Sequence, residues 1–151
     1  PINDSWVTAK TKIALAADGR VKGRQIEVKT TKGVVRLRGK VDSDAAKQAA
    51  GDITKMVDGV ATVKNDLEVV APSKREAVEE KDEAITKRVQ KKIAKDSHLK
   101  NAHIAVQTNA GVVSLTGEVP DLMTSAHASW TAWFVSGVKS VKNDLTVKEQ
   151  A

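Results

Sequence analysis

A fixed-offset internal repeat limits the fold of this chain more than any other feature. Gly33-Val34-Val35-Arg36-Leu37-Arg38-Gly39-Lys40-Val41 returns seventy-eight positions later (111 − 33 = 78) as Gly111-Val112-Val113-Ser114-Leu115-Thr116-Gly117-Glu118-Val119. Both glycines and all four apolar positions come back, while the residues between them change freely. The same offset, without a gap, turns Gly59-Val60-Ala61-Thr62-Val63-Lys64-Asn65-Asp66-Leu67 into Gly137-Val138-Lys139-Ser140-Val141-Lys142-Asn143-Asp144-Leu145. Self-similarity at a fixed period marks duplicated structure. The 151 residues are therefore expected to form two units of about 70 residues each, near the lower size limit for independent folding. A unit that small buries only about 60% of its unfolded surface, so each is expected to lean on its neighbour. Aromatic residues make up 3% of the chain against 40% hydrophobic residues in all, so the cores must be built from Val, Ile, Leu and Ala.

Within the first repeat, Asn3-Asp4-Ser5 offers caps for a helix from about Ser5 to Ala17, with Val7, Thr11, Ala14 and Leu15 in its apolar pattern. Asp18-Gly19 ends it. Gln25 to Thr30 alternates as a half-buried strand, and Thr31-Lys32-Gly33 is short enough for a hairpin. In the second strand, Val34 to Val41, alternation puts Val35, Leu37 and Gly39 on one face and Val34, Arg36 and Arg38 on the other. Asp42-Ser43-Asp44 caps a second helix to about Val57, with Ala46, Ala49, Ala50, Ile53 and Val57 inward. Val63 to Val69 is the third strand. The second repeat supplies the counterparts: an apolar stripe of Ile85, Val89 and Ile93, strands at about 103–108, 112–119 and 141–147, and a helix between Asp121 and Val135.

The expected class is thus α+β: two tandem αββαβ domains, each a mixed three-stranded sheet with both helices on one face. The first spans residues 1–71 and the second 82–151. Pro72 opens a linker, 72–81, in which Ser73-Lys74-Arg75-Glu76 has the spacing of a capping box and allows a helical connection.

The pattern Gly-Val-Val-x-Leu-x-Gly-x-Val, a helix, then Gly-Val-x-x-Val-x-Asn-x-Leu resembles the BON domain, named for osmotically inducible and nodulation proteins of bacteria. Residues 33–41 with 59–67 carry it once and 111–119 with 137–145 again. The resemblance implies the αββαβ fold, a periplasmic or envelope setting, and binding to phospholipid surfaces or envelope proteins. The family glycines, with Asn65 and Asn143, read as fold maintenance; the asparagines are expected to hydrogen-bond nearby backbone.

Little in the chain points to catalysis. The absence of cysteine excludes disulfides, thiolate metal sites and a cysteine nucleophile. There is no phosphate-binding loop and no nucleophile elbow. His98 and His103, five apart, and the distant His127 lack the spacing of a metal motif. Neither catalytic residues, a metal nor a cofactor is expected. No apolar run reaches the roughly 20 residues of a membrane span and no signal peptide is visible; Pro1 in place of Met leaves room for a leader or anchor to have been removed.

The net charge of +6 suits anionic partners. Lys87, Arg88, Lys91, Lys92 and Lys95 fall on the side of their helix away from Ile85, Val89 and Ile93, a basic face suited to anionic lipid. The repeats also disagree across the second helix. Asp44, Gln48, Asp52 and Lys55 correspond to Leu122, Ala126, Trp130 and Trp133, a second apolar stripe in addition to the inward one. Leu122, Trp130 and Trp133 are accordingly expected either to bury against other parts of the chain or to anchor a partner, a second copy or a bilayer interface. No platform of base-stacking aromatics lies beside the basic face, so nucleic acid is not expected. The expectation is a non-enzymatic periplasmic or envelope protein of stress response that binds anionic phospholipid, with a chaperone-like or self-associating module as the alternative.

Overall fold

The computed structural model describes residues 2–71 and 81–148. Two compact units divide between Ala77 and Val78; residues 72–80, which hold the expected linker and its capping box, lie outside the described residues. In the first unit, helix α1 (Asp4–Ala17) precedes strands β1 (Gly23–Thr31) and β2 (Val34–Val41), helix α2 (Asp44–Lys55) and strand β3 (Thr62–Val69). The second repeats the order with α3 (Asp82–Lys95), β4 (His103–Asn109), β5 (Val112–Val119), α4 (Leu122–Trp133) and β6 (Ser140–Val147).

Strand β2 lies at the centre of its sheet, antiparallel to β1 and parallel to β3. The antiparallel pair needs only a tight turn, whereas the parallel pair needs the crossover that α2 provides. Val35 pairs with Val63 and Leu37 with Asn65; seventy-eight residues on, Val113 pairs with Val141 and Leu115 with Asn143. The two ladders differ at one edge. Between Arg24 and Glu27 the β1–β2 register slips around Gln25, whose φ is 55°, while β4–β5 is continuous from His103.

Side-chain alternation is as expected: Val35, Leu37 and Val41 are buried beneath α1 and α2, as are Val113, Leu115 and Val119 in the second unit. Val7, Leu15, Ala46, Ala50 and Leu67 complete the first core, and Ile85, Val89, Ile93 and Ala128 serve in the second. The asparagines pin each crossover helix to its strand. Asn65 Nδ2 donates to the Lys47 carbonyl (2.8 Å) and Asn143 Nδ2 to that of Ser125 (3.0 Å), while each Oδ1 accepts the N–H two residues on.

Of the cap candidates Asn3-Asp4-Ser5, Asn3 caps α1 through Trp6 N (2.8 Å), while Lys81 precedes α3 without a side-chain bond; Asp4 and its counterpart Asp82 lie in the first turns of these helices. The two aspartates clamp the hairpin turns. Asp4 accepts the N–H groups of Lys32 (2.8 Å) and Gly33 (3.2 Å), and Asp82 those of Ala110 (2.8 Å) and Gly111 (3.0 Å). These turn residues have φ near 50° and 80°, the type I′ geometry that matches strand twist and leaves both N–H groups pointing at the helix start. Replacing Asp82 with Ala removes two charge-assisted bonds and should cost about 2 kcal/mol, read as a lower urea midpoint in Trp130/Trp133 fluorescence.

Candidate functional site

Helix α3 buries Ile85, Val89 and Ile93 and presents Lys87, Lys91, Lys92 and Lys95 to solvent, with Arg88 half-buried. Lys92 and Lys95 occupy its last turn, where the helix dipole favours cations. The five basic residues differ in what they contact. Lys87 pairs with Glu83 one turn back (3.7 Å), and Arg88 Nη1 donates to the Ser136 carbonyl (3.1 Å), tying α3 to the segment after α4.

Both partners line a groove of about 660 Å³, together with Lys91, Lys92 and Lys95 on α3 and Phe134 and Val135 beyond α4. Lys87 does not line it. A smaller hollow of about 420 Å³ shares Lys92, Lys95 and Phe134 and reaches Asp96 and Thr131. Cationic side chains on one wall and an apolar wall opposite suit an anion carrying a hydrocarbon part.

The apolar stripe of α4 is placed differently from the cationic face. Leu122 and Trp130 are half-buried, and Trp133 is buried at 6% exposure, so Trp133 presents no free ring. The exposed aromatic is Phe134, at 41%. It caps the C-terminus of α4 with ψ of 3°, outside helical geometry. Trp130, Trp133 and Phe134 stack on one another with centroids 5.1 to 5.3 Å apart, which holds the Phe134 ring at the groove edge. The expected anchors therefore support the surface more than they form it.

The signal for this groove lay in a comparison of the repeats along the first helix. Lys87, Arg88, Lys91, Lys92 and Lys95 stand where the first unit has Ala9, Lys10, Ile13, Ala14 and Ala17 (87 − 78 = 9). Phe134 stands for Met56, which is 86% exposed at the same cap position. The histidines are arranged differently from their sequence spacing. His103 is on β4, while His98 and His127 converge on Asp96.

The helix that carries the aromatic wall starts on a carboxylate. Asp121 accepts from Thr124 Oγ1 (2.7 Å) and Thr124 N (2.8 Å), bonds that hold its pKa below the ordinary aspartate value of 3.8. Asp18 is held down likewise by its hydrogen bonds from Arg20. A carboxyl that ionises more readily folded than unfolded stabilises the fold fully above pH 3.8 and less as pH falls through its lower folded value. Urea midpoints should thus decline on the acid side, below about pH 4. Asp121→Asn, which keeps the acceptor oxygen, should make that decline shallower in unit-two fluorescence.

Three comparisons bear on this geometry. The family model described as "BON domain" matches residues 3–71 and 81–149. Osmotically-inducible protein Y of Escherichia coli K12 is 39% identical over 153 residues, covering 97% of this chain and 74% of that protein. Outer membrane lipoprotein DolP of Haemophilus influenzae is 31% identical over 141 residues, covering 93% and 72%. Among solved structures, the C-terminal domain of CdsD, the structural protein of the type III secretion system of Chlamydia trachomatis, aligns with a TM-score of 0.39 and 17% identity. That alignment covers 98% of this chain and 68% of the other.

Proposed function

The chain belongs to the BON domain family, with two tandem domains, and on that premise we propose a non-enzymatic envelope protein of osmotic stress that docks peripherally on anionic phospholipid. The names of two relatives, one osmotically inducible and one an outer membrane lipoprotein, support the setting. No helix among the described residues is long and apolar enough to cross a membrane, so attachment through helices would be peripheral.

The observation that carries the lipid reading is the convergence of Lys91, Lys92 and Lys95 with Phe134 on one groove. Each basic side chain near an anionic bilayer contributes about 1 kcal/mol. Phe134, already exposed, can enter the interface without unfolding α4, and Arg88 holds the groove's two walls together. Headgroup phosphates meet the lysines, and the apolar wall meets the upper acyl chain.

Co-sedimentation of the full chain with phosphatidylcholine vesicles, with and without phosphatidylglycerol, tests this. Binding should need the anionic lipid and weaken with salt, because the Debye length shrinks from about 10 Å at 0.1 M to about 3 Å at 1 M. Equal binding to both vesicles, or none to either, would sink the lipid reading and leave the groove to a protein partner.

A further inference from the structure

Two imidazoles and a carboxylate meet where α3 ends, and the first unit has no counterpart to this group. The Asp96 N–H bonds to the carbonyls of Lys92 (3.1 Å) and Ile93 (3.2 Å), and its own carbonyl accepts from Leu99 (3.1 Å) and Lys100 (2.9 Å). Leu99 is fully buried, so the turn that carries Asp96 and His98 is held in place. The Asp96 carboxylate accepts the His98 N–H (2.8 Å), with His98 Nδ1 at 3.5 Å and His127 Nε2 at 2.7 Å. His127 stands mid-helix in α4 between buried Ala126 and Ala128. The two rings meet edge to face with centroids 5.1 Å apart. One ligand atom from each of the three residues lies within 4.8 Å of the other two.

The first unit shows what a purely structural version looks like. Asp18 is the counterpart of Asp96, Arg20 stands in place of His98, and Ala49 in place of His127 (98 − 78 = 20; 127 − 78 = 49). There one residue, Arg20, satisfies the carboxylate, through its guanidinium (2.9 Å) and its own N–H (2.9 Å). Neutralising Asp96 would require only one such partner. The second unit has instead exchanged an arginine and an alanine, on different elements, for imidazoles that face the same carboxylate.

We propose that Asp96, His98 and His127 form a binding site for a divalent transition-metal ion of the Zn²⁺, Ni²⁺ or Cu²⁺ class. Imidazole with one carboxylate suits these ions, whereas Mg²⁺ and Ca²⁺ prefer all-oxygen sets. Ligand bonds of about 2 Å to a shared ion put ligand atoms at most about 4 Å apart. The closure needed from 4.8 Å is small, and exposed His98 is free to rotate into it. The ion replaces the His127–Asp96 hydrogen bond, and its remaining positions face water. The site stands whether or not the neighbouring groove takes lipid.

Calorimetric titration of the full, untagged, chelator-treated chain with zinc chloride tests the proposal. One Zn²⁺ per chain is expected. The pair His98→Arg with His127→Ala, which installs the first unit's own residues, should weaken it about tenfold or more, while His103→Gln should not. Imidazole proton resonances of His98 and His127 should move on adding zinc, and those of His103 should stay. No binding, binding indifferent to the double substitution, or zinc-induced shifts confined to His103 would overturn the assignment. Should the double variant lose its circular dichroism, Asp96→Asn decides, since it keeps an acceptor for the His98 N–H; unchanged affinity there also overturns it.

Discussion

The variant Lys91→Glu, Lys92→Glu, Lys95→Glu should lose anionic-vesicle binding by about 100-fold or more. Removing three cations at about 1 kcal/mol each already amounts to about 3 kcal/mol, or more than a hundredfold in affinity, and reversal adds repulsion. All three side chains are exposed, so the thermal midpoint should barely change. A control with the same change in net charge, Lys22→Glu with Lys29→Glu and Lys64→Glu, alters exposed lysines of the first unit and should retain most binding. Equal loss in both variants would mean that overall charge, not the groove, draws the protein to the membrane.

The largest stability effect is expected from a single methyl group. Gly117→Ala should destabilise the second unit by about 3 kcal/mol or more. Gly117 has φ of 129°, and a Cβ there would run into the backbone carbonyl oxygen of His103 on the adjoining strand. Gly39 repeats the arrangement with φ of 130° and the Gln25 carbonyl oxygen 2.5 Å from the hypothetical Cβ. A backbone oxygen of a paired strand cannot swing away as a flexible side chain can. Trp130 and Trp133 report the Gly117 variant and Trp6 the Gly39 variant, so each loss can be assigned to its own unit by urea titration. Gly19→Ala, with open space around its Cα, is the neutral control. Comparable losses in all three variants would refute the close-approach explanation.

The fold was legible because its signals are local or periodic. Alternation in Val34–Val41 separates two faces without reference to the rest of the chain, and the Gly-rich phrases recur at an offset that needs no structure to see. The turn-clamping role of Asp4 and Asp82 was not legible, because their partners lie 28 and 29 residues away in a turn, beyond any local pattern. Spacing left Trp133 open between burial and an outward anchor, because it specifies an angle around an axis, not what covers that side. Phe134 lies off the apolar stripe of α4 because it caps the helix, where the spacing no longer applies.

What the sequence alone determined is the duplication, the αββαβ order and the basic face of the second unit's first helix, all consequences of residue spacing along one chain. Only the tertiary structure decided which of those cations line a cleft, that Arg88 bonds to Ser136 across it, and that His98 shares Asp96 with His127. These depend on the crossing of α3 with α4, elements far apart in sequence and brought together by burial of Ile85, Val89 and Ile93. That burial fixes where side chains on different elements meet, and no spacing within either element encodes it.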